Sequence, residues 1–302
     1  MADYDLIIVG GGPAGLTAAI YAKRYMINLL VLTREVGGMA ANAHKICNFP
    51  TYEEITGLEF MTKMQRQVEN MGVPIEYQEV LEITKLPDNS GFSLITANKD
   101  YTAKKIIYTG GTEHQELNIA GEHELFGHGV SYCATCDAAF FKNKTVAVVG
   151  GSDAALTAAL LLSEYAINVY IIYRKDKFMR AEPAWISLIE KSPKITTLFN
   201  EELISINGTK KVESITLKSG KVMQLDGVFI EIGSRPNIRL LQKLGIMHNN
   251  NYILTNQKGQ TNISGFYAAG DVTNNDLKQI VTAASQGAVA AFTIYQELKK
   301  ES

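Results

Sequence analysis

Leu6-Ile7-Ile8-Val9-Gly10-Gly11-Gly12-Pro13-Ala14-Gly15 lies at the start of the chain, and its reading decides the fold. Four apolar residues run into a turn spaced G-x-G-x-x-G. An Ala-rich stretch follows to about Met26, then a second apolar run at residues 29–32. This predicts strand, tight turn, helix and strand, a βαβ unit with its glycines at the first strand–helix junction. Gly10 permits the turn, Gly12 lets a pyrophosphate approach the backbone, and Gly15 packs helix on strand. The helix N-terminus then faces the anion. A glycine-rich turn without a ligand is the competing reading.

The pattern recurs. Residues 9–34 align without a gap with residues 149–174 at a constant offset of 140, and 12 of the 26 positions are identical. Gly10, Gly11 and Ala14 become Gly150, Gly151 and Ala154, and Leu16-Thr17-Ala18-Ala19 becomes Leu156-Thr157-Ala158-Ala159. Two dinucleotide folds are therefore expected. They differ where a ligand would lie. The second turn reads Gly150-Gly151-Ser152-Asp153-Ala154-Ala155. Ala is permitted at the third glycine position, whereas Ser152 puts a Cβ where a phosphate approaches. Past the second strand, Thr33-Arg34-Glu35 is replaced by Arg174-Lys175-Asp176-Lys177-Phe178-Met179-Arg180, so Glu35 becomes Lys175. An acid suits ribose hydroxyls, and gathered cations suit a phosphate monoester. The first copy is expected to take an adenine dinucleotide lacking a 2′-phosphate. The second is expected to take NADP, through Gly150, Ser152, Asp153, Ala154, Arg174, Lys175 and Arg180. A solvated basic loop, and a second fold that binds nothing, are the alternatives.

Between the copies stands Ser131-Tyr132-Cys133-Ala134-Thr135-Cys136-Asp137. Zinc needs four ligands, no second Cys pair exists, and His44, His114, His123, His128 and His248 are scattered, so no metal is expected. Cys133 and Cys136 read as a redox dithiol that closes to a disulfide. Asp137, partly buried beside a thiolate, could have a raised pKa and donate a proton; a capping role is the alternative. Near the end, Gly265-Phe266-Tyr267-Ala268-Ala269-Gly270-Asp271-Val272 reads as a strand ending in Gly-Asp, with a helix at about residues 278–298. Asp271 could hold a sugar-like hydroxyl chain beside a helix N-terminus, or serve as an ordinary N-cap.

The whole chain fits that scale. Its 302 residues suit about two domains of ~150. Lys+Arg 29 against Asp+Glu 31 leaves a net charge of −2, which argues against nucleic acid or an anionic membrane as main partner. With 46% hydrophobic and 20% charged residues, large-scale disorder is excluded. No apolar stretch approaches ~18 residues, and Met1-Ala2-Asp3 leads straight into a strand. Three cysteines cannot form a disulfide framework, so a reducing, cytoplasmic address is expected. Cys47 reads as a small apolar residue, and Trp185 as core or interface.

Tandem dinucleotide folds, Cys133-Ala134-Thr135-Cys136-Asp137 before the second, and Ala268-Ala269-Gly270-Asp271-Val272 near the end resemble the low-molecular-weight thioredoxin reductase family over essentially the whole chain. Gly37-Gly38-Met39, Cys47-Asn48-Phe49-Pro50, Tyr108-Thr109-Gly110-Gly111 and Ile232-Gly233-Ser234-Arg235-Pro236-Asn237 add to the likeness. The resemblance implies an α/β protein of two tandem Rossmann-like domains. Residues 1–113 and 241–302 would form a discontinuous FAD domain. Residues 114–240 would form an NAD(P)H domain carrying the dithiol, with hinges near 112–114 and 237–240. The FAD contacts implied are Gly10, Gly12, Pro13, Ala14 and Gly15 of the turn; Thr33, Gly38, Met39, Asn48 and Val80; Thr109 and Gly110; and Gly270, Asp271, Lys278, Gln279 and Ile280. Two electrons would pass from NADPH through FAD and the Cys133–Cys136 disulfide to thioredoxin or a thioredoxin-like protein. Cys136 would face the flavin, Cys133 would attack the partner, and Asp137 would relay a proton. A homodimer is implied likewise. The sequence departs from the family pattern at Met39 (usually Gln), Lys278 (usually Arg), Tyr173-Arg174-Lys175 (usually His-Arg-Arg) and Thr157-Ala158 (often Glu-Glu). These departures bear on the electron donor. Ferredoxin or deazaflavin as donor, a dithiol oxidase using oxygen, and a non-catalytic flavin protein are the competing functions.

Overall fold

Apolar runs bounded by turns build two contact units in the computed structural model, which describes residues 2–88 and 90–301. One unit comprises Met1–Ala41, Ile46–Glu113 and Arg235–Ser302; the other comprises Asn42–Lys45 and His114–Ser234. In chain order, the first segments give β1 (Tyr4–Gly11), α1 (Pro13–Arg24), β2 (Leu29–Val36), α2 (Gly57–Asn70), β3 (Ile75–Tyr77), β4 (Val80–Lys85), β5 (Phe92–Thr96) and β6 (Asp100–Tyr108). After β7 (Thr112–His114) come β8 (Val130–Ser131), α3 (Ala134–Asp137), β9 (Thr145–Val149), α4 (Asp153–Tyr165), β10 (Asn168–Tyr173), α5 (Pro183–Lys191), β11 (Ile195–Phe199), β12 (Leu203–Asn207), β13 (Ser214–Leu217), β14 (Val222–Gln224) and β15 (Gly227–Ile230). The chain returns through β16 (Ser234–Pro236) to β17 (His248–Asn249), β18 (Tyr252–Ile253), β19 (Phe266–Ala268) and α6 (Ile280–Glu301).

In the discontinuous unit the sheet order is β3-β2-β1-β6-β5-β4. β1 pairs in parallel with both β2 and β6. Ile7 and Ile8 are fully buried, as a strand covered on both faces requires. β6 serves two partners along one edge. Its first half pairs with β5 and its last three residues, Ile106, Ile107 and Tyr108, pair in parallel with β19. That pairing brings Gly270-Asp271 to the carboxyl ends of the parallel strands. α1 starts with Pro13 in its first turn, where the missing N–H costs nothing, and ends with Lys23 and Arg24 against the negative helix end.

The other unit repeats the plan. Its parallel sheet runs β11-β10-β9-β15-β8, and β12-β13-β14 form a separate antiparallel sheet. α4 begins 140 residues after α1, in the register of the sequence repeat. Along β15, Phe229 packs with Leu156 and Ala159 of α4, while Val228 and Ile230 face the core on the other side of the sheet. Trp185 packs partly buried against the α4 side.

Three boundaries differ from expectation. β2 continues to Val36 instead of ending at Leu32, because a bulge lets Gly11 pair with Val36 and Gly37 N donates to Gly11 O. α6 begins at Ile280 rather than Lys278, because Gln279 takes the capping position: its N–H donates to the Thr282 hydroxyl three residues on, and its carbonyl accepts Ala283 N. The return to the discontinuous unit falls at Arg235, six residues before 241. Arg235 Nε donates to Glu113 Oε1 at 3.0 Å, and the Asn237 carbonyl accepts the Tyr108 hydroxyl at 2.8 Å. Among the described residues no helix is long and apolar enough to cross a membrane.

Candidate functional site

The first glycine turn is built for close approach. A Cβ on Gly15 would lie 2.0 Å from the Gly10 carbonyl oxygen, so α1 meets β1 more closely than any side chain allows. Gly12, the N-cap of α1, has nothing within 4 Å of where its Cβ would stand, and no side chain caps the helix. The free amides of the first turn therefore face open space, the arrangement that receives a pyrophosphate. Thr109 seals the turn from β6, its hydroxyl donating to Val9 O at 2.9 Å or Gly10 O at 3.0 Å.

The other residues expected at this site fall into two groups. Asn48 Nδ2 donates to Gln279 Oε1 at 3.0 Å, joining positions 231 residues apart. Gly270 sits against the turn, a Cβ there meeting that of Ala14 at 3.1 Å, and its N–H donates to Gln286 Oε1 at 2.7 Å. Burial pushes the Asp271 carboxyl up, and Lys278 pulls it partly back. Gly110 follows Thr109, and Ile280 is the first residue of α6. Gly38 and Met39 open a short 3-10 turn, with Met39 exposed. The remaining residues are engaged elsewhere. Thr33 Oγ1 donates to Glu35 O at 2.5 Å, Val80 is buried in the sheet core, and Glu35 lies within β2, exposed and 3.5 Å from Arg34. Lys278 Nζ donates to the Thr273 carbonyl and stands 4.2 Å over the Tyr252 ring. Its ammonium is thus held by protein groups, and burial lowers its pKa. Cys47 is exposed on a cavity of about 500 Å³ lined by residues 47–53.

The second turn keeps the frame but not the ligand side. Ser152 is the N-cap of α4, yet its hydroxyl caps nothing. The Asp153 carboxylate accepts Glu182 N at 2.7 Å. β10 stops at Tyr173, so Arg174, Lys175 and Arg180 lie exposed on the following loop, where Phe178 stacks on Tyr173. At the position Thr109 holds in the first fold stands Glu231, whose N–H donates to Val149 O at 2.8 Å. Burial pushes its carboxyl up to about 8. An acid between Ile230 and Ile232 at a strand end was the available signal in the sequence.

Cys133 and Cys136 form a disulfide, S–S 2.05 Å and Cα–Cα 5.4 Å. Cys133 is the N-cap of the one-turn α3, its sulfur accepting Cys136 N at 3.2 Å, and its own N–H is taken by Ser131 Oγ at 3.0 Å. Cys136 is exposed and Cys133 half-buried. Thr135 Oγ1 fixes the exposed side by donating to Asn42 O at 2.6 Å. Asp137 lines a cleft of about 260 Å³ with Ser131, Phe140 and Lys144, and its carboxyl makes no hydrogen bond among the described residues. Tyr132, the residue before Cys133, is anchored by Glu122, which sequence reasoning missed. Fully buried, Glu122 accepts the amides of Leu117, Asn118 and Ile119 and the Tyr132 hydroxyl, the last at 2.7 Å. Nothing in its local sequence marks that role. Among the described residues no group of three His, Cys, Asp or Glu could hold a metal ion.

Comparison with known proteins agrees with this arrangement. Residues 4–287 match the family model for pyridine nucleotide-disulphide oxidoreductase. The chain is 40% identical over 308 residues to a thioredoxin reductase of Listeria innocua, covering 98% of this chain and 95% of that one. The crystal structure of Lactococcus lactis thioredoxin reductase is similar with a TM-score of 0.94 and 37% identity, covering 99% of this chain and 100% of that one. A ferredoxin-flavin thioredoxin reductase from Clostridium acetobutylicum is similar with a TM-score of 0.55 and 34% identity, covering 98% of each chain. The chain belongs to the pyridine nucleotide-disulphide oxidoreductase family and, within it, to the thioredoxin reductases.

Proposed function

We propose that the chain is an FAD-dependent thioredoxin-disulphide reductase that takes its electrons from NADPH. The observation that carries this reading is the Cys133–Cys136 disulfide, held on a single capped turn with Cys136 exposed. FAD fits the first fold. The bare first turn of α1 suits its pyrophosphate, and Gly270-Asp271 and the Asn48–Gln279 pair suit the rest of the molecule. NADPH is assigned to the second fold, where Arg174, Lys175 and Arg180 can take the 2′-phosphate. Bound together, the two cofactors supply a two-electron reduction that opens the disulfide. The Cys133 thiolate then attacks a sulfur of the partner's disulfide, forming a mixed disulfide and releasing a thiolate that Asp137 protonates. Cys136 attacks Cys133, which frees the second partner thiol and re-forms the internal disulfide. Exposed Tyr21 and Phe292 beside the stacked Tyr25–Tyr295 pair support a homodimer through α1 and α6. A cytoplasmic location belongs to the same reading.

Anaerobic titration tests both cofactors. The purified protein should be yellow, and NADPH should bleach its flavin band faster than NADH. Colourless protein that takes up no flavin overturns the proposal. Bleaching by reduced ferredoxin alone replaces the donor and leaves the dithiol chemistry standing, a second reading favoured by Ser152 at the phosphate approach.

A further inference from the structure

We infer that Glu231 decides whether the second fold accepts an anionic dinucleotide, admitting it as the neutral acid and opposing it as the carboxylate. This rests on the assignment of a nicotinamide dinucleotide to that fold and adds a specificity-determining residue to it.

The placement follows from the repeat. Val9 pairs with Tyr108 and Thr109 N donates to Val9 O at 2.8 Å; Val149 pairs with Ile230 and Glu231 N donates to Val149 O at 2.8 Å. A Cβ on Gly10 would lie 2.4 Å from Thr109 O, and one on Gly150 would lie 2.2 Å from Glu231 O. Thr109 and Glu231 are therefore equivalent, each pressed against the first glycine of its turn. Side-chain alternation sets the direction. Ile230 faces the core away from α4 and Phe229 faces α4, so Glu231, continuing the ladder, falls on the α4 side. That is the side on which a dinucleotide crosses the carboxyl ends of the strands.

The two residues meet that position differently. Thr109 gives its hydroxyl to the turn carbonyls. The Glu231 carboxyl has no hydrogen-bond or ion-pair partner among the described residues. The ionisable groups on neighbouring elements are Tyr132 after β8, Asp153 on α4, Tyr173 and Arg174 at the end of β10, and His114 on β7. None shifts the Glu231 carboxyl, which responds to burial alone. Burial without a donor destabilises the charged form. A pyrophosphate at the same turn adds like charge and removes the remaining water, so the bound state takes the proton. Neutral, the carboxylic O–H can donate to the ligand.

Calorimetric titration of the oxidised holoenzyme with NADP⁺ at pH 7 and pH 9 reads this without turnover. The 2′-phosphate ionises near pH 6 and stays constant across the window. With the free carboxyl at about 8, the neutral fraction falls from about nine-tenths to about one-tenth, so Kd should rise about tenfold. Glu231→Gln, which stays neutral, and Glu231→Thr, which carries the first fold's residue, should hold Kd within about twofold. A wild-type change under threefold, or variants that keep the wild-type slope, overturns the inference and leaves the donor assignment intact. No binding by any of the three proteins at pH 7 overturns the donor assignment and the inference with it. Binding by the variants alone at pH 7 also overturns the inference, because the wild-type carboxyl is about nine-tenths neutral there and should admit the ligand.

Discussion

The two glycine turns share a register of 140 residues and a backbone frame, but their surroundings have diverged in opposite directions. Around the first, the Thr109 hydroxyl is taken by strand carbonyls, Thr33 by Glu35 O and Lys278 by Thr273 O, while the Asp271 carboxyl accepts no hydrogen bond among the described residues. What remains open is the helix N-terminus itself. Around the second, the Ser152 hydroxyl does not cap α4, the Glu231 carboxyl has no partner among the described residues, and the cations stand on an exposed loop. The contrast separates the frame from its use. Strand, turn and helix are fixed by glycines, alanines and buried aliphatics, while ligand choice rests on a few side chains at strand ends, which drift without disturbing the fold.

The strongest way to sharpen the comparison is to remove what the second unit carries and the first does not. Cys136→Ser should reduce thioredoxin turnover by at least about a thousandfold, since no internal disulfide can re-form. The flavin spectrum and its bleaching by NADPH should persist. Surviving turnover would remove Cys136 from the mechanism. Loss of flavin would mean that the two regions are not separable in function.

Next in size is the helix–strand approach. Gly15→Ala forces a Cβ to within 2.0 Å of the Gly10 carbonyl oxygen and should cost about 1–3 kcal/mol with loss of bound flavin. Its counterpart, Ala155→Gly, should cost about 1 kcal/mol through helix propensity and leave nucleotide affinity unchanged. Thermal melts and flavin content distinguish the two; equal effects would erase the claimed asymmetry. Arg174→Ala, on the loop the first fold lacks, removes a charge-assisted contact of about 1.5–3 kcal/mol. NADPH affinity should fall about 10- to 150-fold. An unchanged KM makes residues 174–180 a solvated loop.

The same contrast explains how much could be read in advance. The tandem α/β plan was legible because a gapless repeat fixes strand, turn and helix at once. The dithiol was legible because its residues are adjacent in sequence. The end of β2 was not, since it depends on a bulge that pairs Gly11 with Val36. Glu122 was not, since its partners are three nearby loop amides and a Tyr132 hydroxyl that only the folded loop brings to it; Glu231 stood out as an acid between isoleucines, but its place against the second turn depends on strand pairing. Lys278 could be seen as a departure from the family pattern. Its capture by the Thr273 carbonyl and the Tyr252 ring could not, because it depends on the fold of the loop that carries both Thr273 and Lys278 and on the placement of β18 beside it.

The smallest expected effect probes the single difference inside the turns. Ser152→Gly removes a side chain that caps nothing, so α4 should lose only a few tenths of a kcal/mol. If the second position of the turn is where a pyrophosphate meets the backbone, clearing its Cβ should tighten NADP⁺ binding by about three- to tenfold. The reciprocal change tests the same geometry from the other side. In Gly12→Ser the new Cβ meets no protein atom within 4 Å, so the melting temperature should hold. Flavin affinity should fall by about tenfold, because the space it fills belongs to the ligand. Opposite shifts in the two affinities, with both folds intact, would show that one position in a shared frame sets phosphate access in each half. If neither affinity moves, the anions enter elsewhere, and the resemblance between the turns reflects ancestry alone.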